Sequence, residues 1–220
     1  MNFRKLYDFL RELQRNNHKE WMDDNRKRYH ALRDDFIEFV DELNAQLAKE
    51  NAAFLPKPGR EAMNRINNNL LYKPNAPTYK DHFSAGLDAN QGTASYYLHI
   101  GLGESMAAGG FYKPDSDYLK RIRAAIDYDG EKLQAILDKK SFRDTFGGLI
   151  DTGRLKTAPK GYSQDHPHIE LLRHKSFAVS HSFTQKEVQS EGFMDEVVRV
   201  FREMRPLQDY LNQAVSVSAS

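Results

Sequence analysis

The sequence predicts an α+β fold: a mainly antiparallel sheet packed with a long N-terminal helix, central helices and a C-terminal helix. Three observations carry this. Apolar residues recur at steps of three and four over the first 49 residues, and again after Pro114 and Gln185, which is the helical period. Runs rich in β-formers stand between them, at about 94–101 and 176–184. The resulting order of helices, strands, helices, strands and helix lacks the regular βα alternation of a parallel sheet.

Phe3, Leu6, Leu10 and Leu13 form the first stripe, which Asn16-Asn17 ends. Asn17 with Glu20 reads as a capping pair for a second, long helix whose apolar face runs from Trp21 to Leu47. FLPKPGR (54–60) is a turn by its Pro and Gly content, and 61–80 is expected to be irregular. TASYYLHIGL then alternates, placing Tyr97 and His99 on one face and Tyr96, Leu98 and Ile100 on the other. HFSAGLD reads as a strand before it, and MAAGGFY as a partner strand after a turn at GLGES. Tyr118 to Ile126 and Leu133 to Leu137 make helical stripes around a turn at 128–130. SFRDTFGGL adds a short helix closed by Gly147-Gly148. TGRLKTAP reads as extended. The segment from Gln185 to Ala214 reads as helix, with a kink or break at Pro206. A single domain over 1–214 and a frayed tail at 215–220 are expected.

Lysine plus arginine (32) nearly balances aspartate plus glutamate (31) in 220 residues, which argues against a broad nucleic-acid interface. There is no cysteine, so disulfides, thiolate nucleophiles and sulfur-ligated zinc are excluded. Charges interrupt the N-terminus, and no apolar run approaches a membrane span. A soluble cytoplasmic protein with no membrane partner is expected.

Familiar catalytic patterns are missing. GLGESMAAGG (101–110) has neither Rossmann spacing nor a P-loop Lys-Ser/Thr, and close backbone packing explains its glycines better. No HExxH motif and no nucleophile elbow occurs. His166-x-His168 beside Asp165 has the ligand types of a metal site, but it also reads as a helix start capped by Asp165. No metal and no cofactor is assigned.

Four segments resemble the microbial family known as domain of unknown function 2461. They are FLRELQRNNHKEWMDDNRKRY (9–29), RINNNLLYKPNAPTYK (65–80), YYLHIGLGESMAAGGFYKPD (96–115) with Ile122-Arg123, and LKTAPKGYSQDHPHIELLRHKSF (155–177). The last includes Pro159-Lys160-Gly161 and Leu172-Arg173-x-Lys175. The resemblance implies no particular activity or cofactor. The family's central motif is richly charged, whereas here its positions read Asn68-Asn69, Leu71-Tyr72 and Lys73-Pro74-Asn75-Ala76. That departure implies a member that has lost part of the motif's charge.

Residues 154–175 hold Arg154, Lys156, Lys160, Arg173 and Lys175 against Asp165 and Glu170. Such a cluster suits a carboxylate or phosphate, and it reads equally as solvated surface charge flanking a short helix. The 65–80 segment is also basic and aromatic. The leading expectation is therefore a pocket for an anionic small molecule, with hydrolase or transferase chemistry as the broadest enzymatic class. Arg65, Tyr79, Lys80, Lys160, Arg173 and Lys175 would bind the ligand, and His99 or His82 would move protons. The first alternative is a non-catalytic module offering a helix face to a protein partner, marked by an exposed apolar strip. The second is weak nucleic-acid binding through 154–175.

Overall fold

The computed structural model describes residues 1–90 and 92–216. Among them are nine helices and one antiparallel sheet of four strands in the order β1-β2-β3-β4. The strands are β1 (His82–Gly86), β2 (Ser95–Gly101), β3 (Ser105–Phe111) and β4 (Phe177–Ser182), at HFSAGLD, the two β-former runs and MAAGGFY as expected. The chain divides into two compact units. Unit 1 comprises Met1–Ala89, Tyr97–Ala107 and Ser182–Val198. Unit 2 comprises Asn90–Tyr96, Ala108–His181 and the chain from Arg199 on.

In unit 1, α1 (Phe3–Arg15) starts at Asn2, whose side chain accepts from the Lys5 N–H at 3.1 Å. It buries Phe3, Leu6, Phe9, Leu10 and Leu13, the expected stripe. The expected long helix is instead two, α2 (Lys19–Asp24) and α3 (Arg26–Glu50). The break is Asn25, which has φ −100° and ψ 9° and whose side-chain amide donates to the Trp21 carbonyl at 2.9 Å. A short polar side chain that bonds nearby backbone competes in this way with the helix ladder. The cap of α2 is His18, not Asn17. Asn17 spends its carboxamide on Tyr79, donating to its carbonyl at 2.9 Å and accepting from its N–H at 2.8 Å.

The core of unit 1 is aromatic. Phe193 lies 5.2 Å from Phe3 and 6.0 Å from Phe39 between ring centroids, and Phe36 lies 5.6 Å from Phe83. α4 (Gly59–Ala62) closes the loop before the 63–80 segment, with Asp41 Oδ1 accepting from the Gly59 N–H at 2.6 Å. α8 (Gln185–Val188) opens on a full capping box between Thr184 and Glu187. Thr184→Ala is expected to lower the unfolding free energy by about 1 kcal/mol, visible as a lower urea midpoint.

In unit 2, α5 (Ser116–Asp138) is hydrogen-bonded through the expected turn, which survives as a kink at Asp129 with φ −149° and ψ 59°. α6 (Lys140–Phe146) ends at Gly147 with φ 72°, the left-handed cap its glycines predict. α7 (Ile169–Leu172) follows His168 without a side-chain cap. Asp165 does not cap it; its N–H instead donates to Ser163 Oγ at 3.2 Å. TGRLKTAP contains no strand. α9 (Phe193–Ser216) begins in unit 1 and continues through Pro206 in unit 2. It takes in the first two residues of the expected tail, while 217–220 lie outside the described residues. Ile122, Ile126, Leu133, Phe142, Phe201 and Met204 are buried in this unit.

Candidate functional site

The antiparallel register of β1 and β2 pairs His82 with Gly101, Ser84 with His99 and Gly86 with Tyr97. Directly paired residues share a face, and so do alternate ones. One face of this pair therefore carries Phe83, Ala85, Leu98 and Ile100, all buried in the core of unit 1. The other carries His82, Ser84, Tyr97 and His99, with glycines at 86 and 101.

On that second face the imidazoles of His82 and His99 stack, with centroids 4.0 Å apart and planes inclined by 28°. Gly101 makes room for them. A Cβ there would lie 2.7 Å from the His82 Cβ and 3.0 Å from His99 Nε2. His82 Nδ1 lies 3.2 Å from Asp81 Oδ1. An ionised carboxylate only accepts, so Nδ1 carries the proton and Nε2 keeps its lone pair. His99 Nδ1 lies 3.2 Å from the Tyr97 hydroxyl. Burial pushes the His99 pKa down to about 4, and the neighbouring His82 adds to the effect. Burial also lowers His82, against the pull of Asp81. Both rings are thus neutral at pH 7.

A two-stranded ribbon brings the cations of 65–80 beside this face. Asn67 bridges Tyr79, Met63 bridges Ala85, and the Lys80 N–H donates to the Ile66 carbonyl at 2.8 Å. Asn64 fastens the ribbon to β1: its Nδ2 donates to Ser84 Oγ at 3.1 Å and its N–H to the Ser84 carbonyl at 2.8 Å. Lys80 Nζ donates to the Arg65 carbonyl at 2.8 Å. Burial holds the Lys80 pKa down, and the charges of Arg65 and Lys73 lower it further. Tyr79 is buried in the ribbon base, where Asn17 holds its backbone. Arg65, Lys80, His82 and His99 therefore gather in unit 1, whereas Tyr79 lies in the same unit but is buried, with its backbone bonded to Asn17.

The other three expected ligand residues lie in unit 2. Lys160 is exposed on a turn in which the Tyr162 N–H donates to the Pro159 carbonyl at 3.1 Å and Gly161 has φ 94°. A positive φ at the third residue of such a turn is what glycine permits. Lys175 is exposed. Arg173 is matched internally: Nη1 donates to Glu170 Oε1 at 2.6 Å and Nη2 to Gln164 Oε1 at 3.3 Å. Arg154 pairs with the same Glu170. Both nitrogens of His166 are engaged. Nδ1 accepts from the His168 N–H at 3.0 Å, and Nε2 lies 3.0 Å from Asp127. His168 packs its ring on Gly130, where a Cβ would approach it to 2.5 Å. The His-x-His pair thus braces a loop against α5, and among the described residues no three His, Asp or Glu side chains group as metal ligands.

Two clefts lie away from the imidazole pair. One of about 510 Å³, in unit 2, runs along Ile136, Phe142, Pro206 and Tyr210. One of about 660 Å³, in unit 1, is lined by Phe3, Phe39, Glu42 and Gln189 among others.

Residues 5–210 match the family described as conserved hypothetical protein, DUF2461. The chain belongs to this family. No curated protein and no solved structure matches it. Within this DUF2461 chain, residues without an assigned role in the sequence reading prove structurally central. Asp81 orients His82, and its place next in sequence was the available signal. Ser84 sits two residues from His82 on the same strand face. Arg123 ties α5 to the end of α7, donating from Nε to the Leu172 carbonyl at 2.9 Å and from Nη2 to the His174 carbonyl at 3.2 Å; nothing in its spacing marks that role.

Proposed function

We propose that the imidazole face of unit 1 binds the phosphate or carboxylate group of a small molecule. Lys80 and Arg65 supply the countercharge, and His82 acts as general base in a hydrolase or transferase reaction. The observation that carries this is the half-buried Lys80, bonded through Nζ to the Arg65 carbonyl at 2.8 Å, in the same unit as the stacked imidazoles of His82 and His99. Burial and the positive charges of Arg65 and Lys73 both disfavour the Lys80 ammonium, and a bound anion offsets both. The Asp81–His82 contact leaves Nε2 free to take a proton from a hydroxyl or a water, which is the geometry a base requires. The proposal does not need Arg173, which shares Glu170 with Arg154 in unit 2. A cytoplasmic setting accords with a chain that has no cysteine.

Differential scanning fluorimetry with inorganic phosphate and a panel of phosphomonoesters and carboxylates tests this reading. The expected result is a rise in melting temperature that Lys80→Met removes and Arg173→Gln preserves. A rise that survives Lys80→Met, or none across the panel, overturns it.

The alternative of a protein-docking helix face gains nothing from α3 or α9. Among the described residues the large exposed apolar side chains include none on either helix. They concentrate instead at Leu70, Leu71 and Tyr72.

A further inference from the structure

Leu70, Leu71 and Tyr72 end the 63–80 ribbon and are 40%, 85% and 80% exposed. Three consecutive large apolar residues this exposed are costly in water unless something covers them. The ribbon that presents them is anchored by the two bonds from Asn17 to Tyr79 and by the bonds from Asn64 to Ser84. Its tip is internally bonded. The N–H groups of Tyr72 and Lys73 both donate to the Asn69 carbonyl, at 3.1 and 3.0 Å, and that of Ala76 to the Lys73 carbonyl at 3.0 Å. Pro74 and Pro77 have no N–H to satisfy. These bonds pair part of the tip's backbone, so only the side chains need pass the headgroup layer while the backbone stays hydrated. From 62 to 80 the charged residues are Arg65, Lys73 and Lys80, with no acid.

We propose that this tip docks on an anionic lipid surface. Leu70 and Leu71 enter the acyl boundary, the Tyr72 ring lies at headgroup depth, and Lys73 pairs with lipid phosphate. Arg65 and Lys80 at the ribbon base add to the attraction. The choice of lipid over an acidic protein groove rests on form and charge together. The apolar group projects at the end of a ribbon, and every charge on that ribbon has the sign that an anionic headgroup layer attracts. No spanning segment is required, and among the described residues no helix is long and apolar enough to cross a membrane. The inference shares Arg65, Lys73 and Lys80 with the anion site proposed above, and the Leu71→Ser/Tyr72→Ser variant, which leaves all three and both imidazoles in place, tests the tip separately.

The test is co-sedimentation of the full chain with vesicles of phosphatidylcholine alone and of phosphatidylcholine with roughly one third phosphatidylglycerol. Binding is expected to the anionic vesicles only and to weaken as salt rises. The double variant Leu71→Ser/Tyr72→Ser is expected to weaken it about tenfold or more, and Lys73→Glu also to weaken it. Because both apolar side chains are exposed, the double variant should keep its far-UV circular dichroism. Absence of binding to anionic vesicles, capture by an acidic protein without vesicle binding, equal binding to neutral vesicles, or unchanged binding of a folded double variant would each overturn the proposal.

Discussion

Gly110→Ala is expected to lower the unfolding free energy by roughly 4 kcal/mol or more, among the largest losses a single methyl group can cause. Two effects combine. Gly110 has φ 111°, where L side chains are strained. It also stands where β3 meets β4, and a Cβ would lie 2.8 Å from Ala178 Cα and 3.1 Å from the Phe177 carbonyl carbon, and closer still to the Phe177 oxygen. These are backbone atoms, so the strands themselves must separate to admit the methyl group. Gly161→Ala separates the two contributions. Gly161 has φ 94° but nothing within 4 Å of the added carbon, so it should lose only about 1–2 kcal/mol from strain. Urea denaturation of both variants measures the difference. Equal losses would show that the strand contact contributes nothing.

The same glycines show what could be read from the chain. GLGESMAAGG looked like close backbone packing rather than a phosphate loop, and Gly109 and Gly110 do meet backbone or side chains at contact distance. Period located β2 and the buried stripes of α1 and α3, because burial of one face imposes it, whereas β4 was marked by β-former content and β1 and β3 by their place around β2. The break at Asn25 escaped because it depends on one side-chain bond to the Trp21 carbonyl, which leaves the apolar period of the flanking helices unchanged. The candidate site was half legible. Tyr97 and His99 on one face followed from strand alternation. The stacking of His82 on His99 did not, because it depends on the pairing of His82 with Gly101 across a connection whose length does not set the register. The match of Glu170 to Arg173 was readable from their i,i+3 spacing. That Arg154 turns to the same acid required the folded loop.

The stacked imidazoles also make stability depend on pH. His99 has a folded pKa of about 4 against an ordinary value near 6.5. The unfolded chain therefore binds a proton in a range where the folded chain does not, so stability increases with pH there. The contribution of His99 is complete above about pH 6.5 and is lost as pH falls toward about 4. Undiscounted, such a shift corresponds to roughly 3 kcal/mol; allowing for solvent screening of the ring, about 2 kcal/mol should disappear over that window. His82 and, in unit 2, His174 are lowered in the same direction by burial, so they steepen the slope. Depressed carboxylates such as Glu12 and Glu203 lose their contribution at lower pH. The measurement is therefore the difference between the wild type and His99→Gln in urea midpoints from pH 7.5 to 4. The variant is expected to have the flatter profile, so that the stability difference between the two changes by about 2 kcal/mol from pH 7.5 to 4. Parallel profiles, or a His99 ring proton that titrates near 6.5 by NMR, would mean that the pair is not held neutral. In that case the basic lone pair assigned to His82 would lose the neutral neighbour on which its proposed role depends.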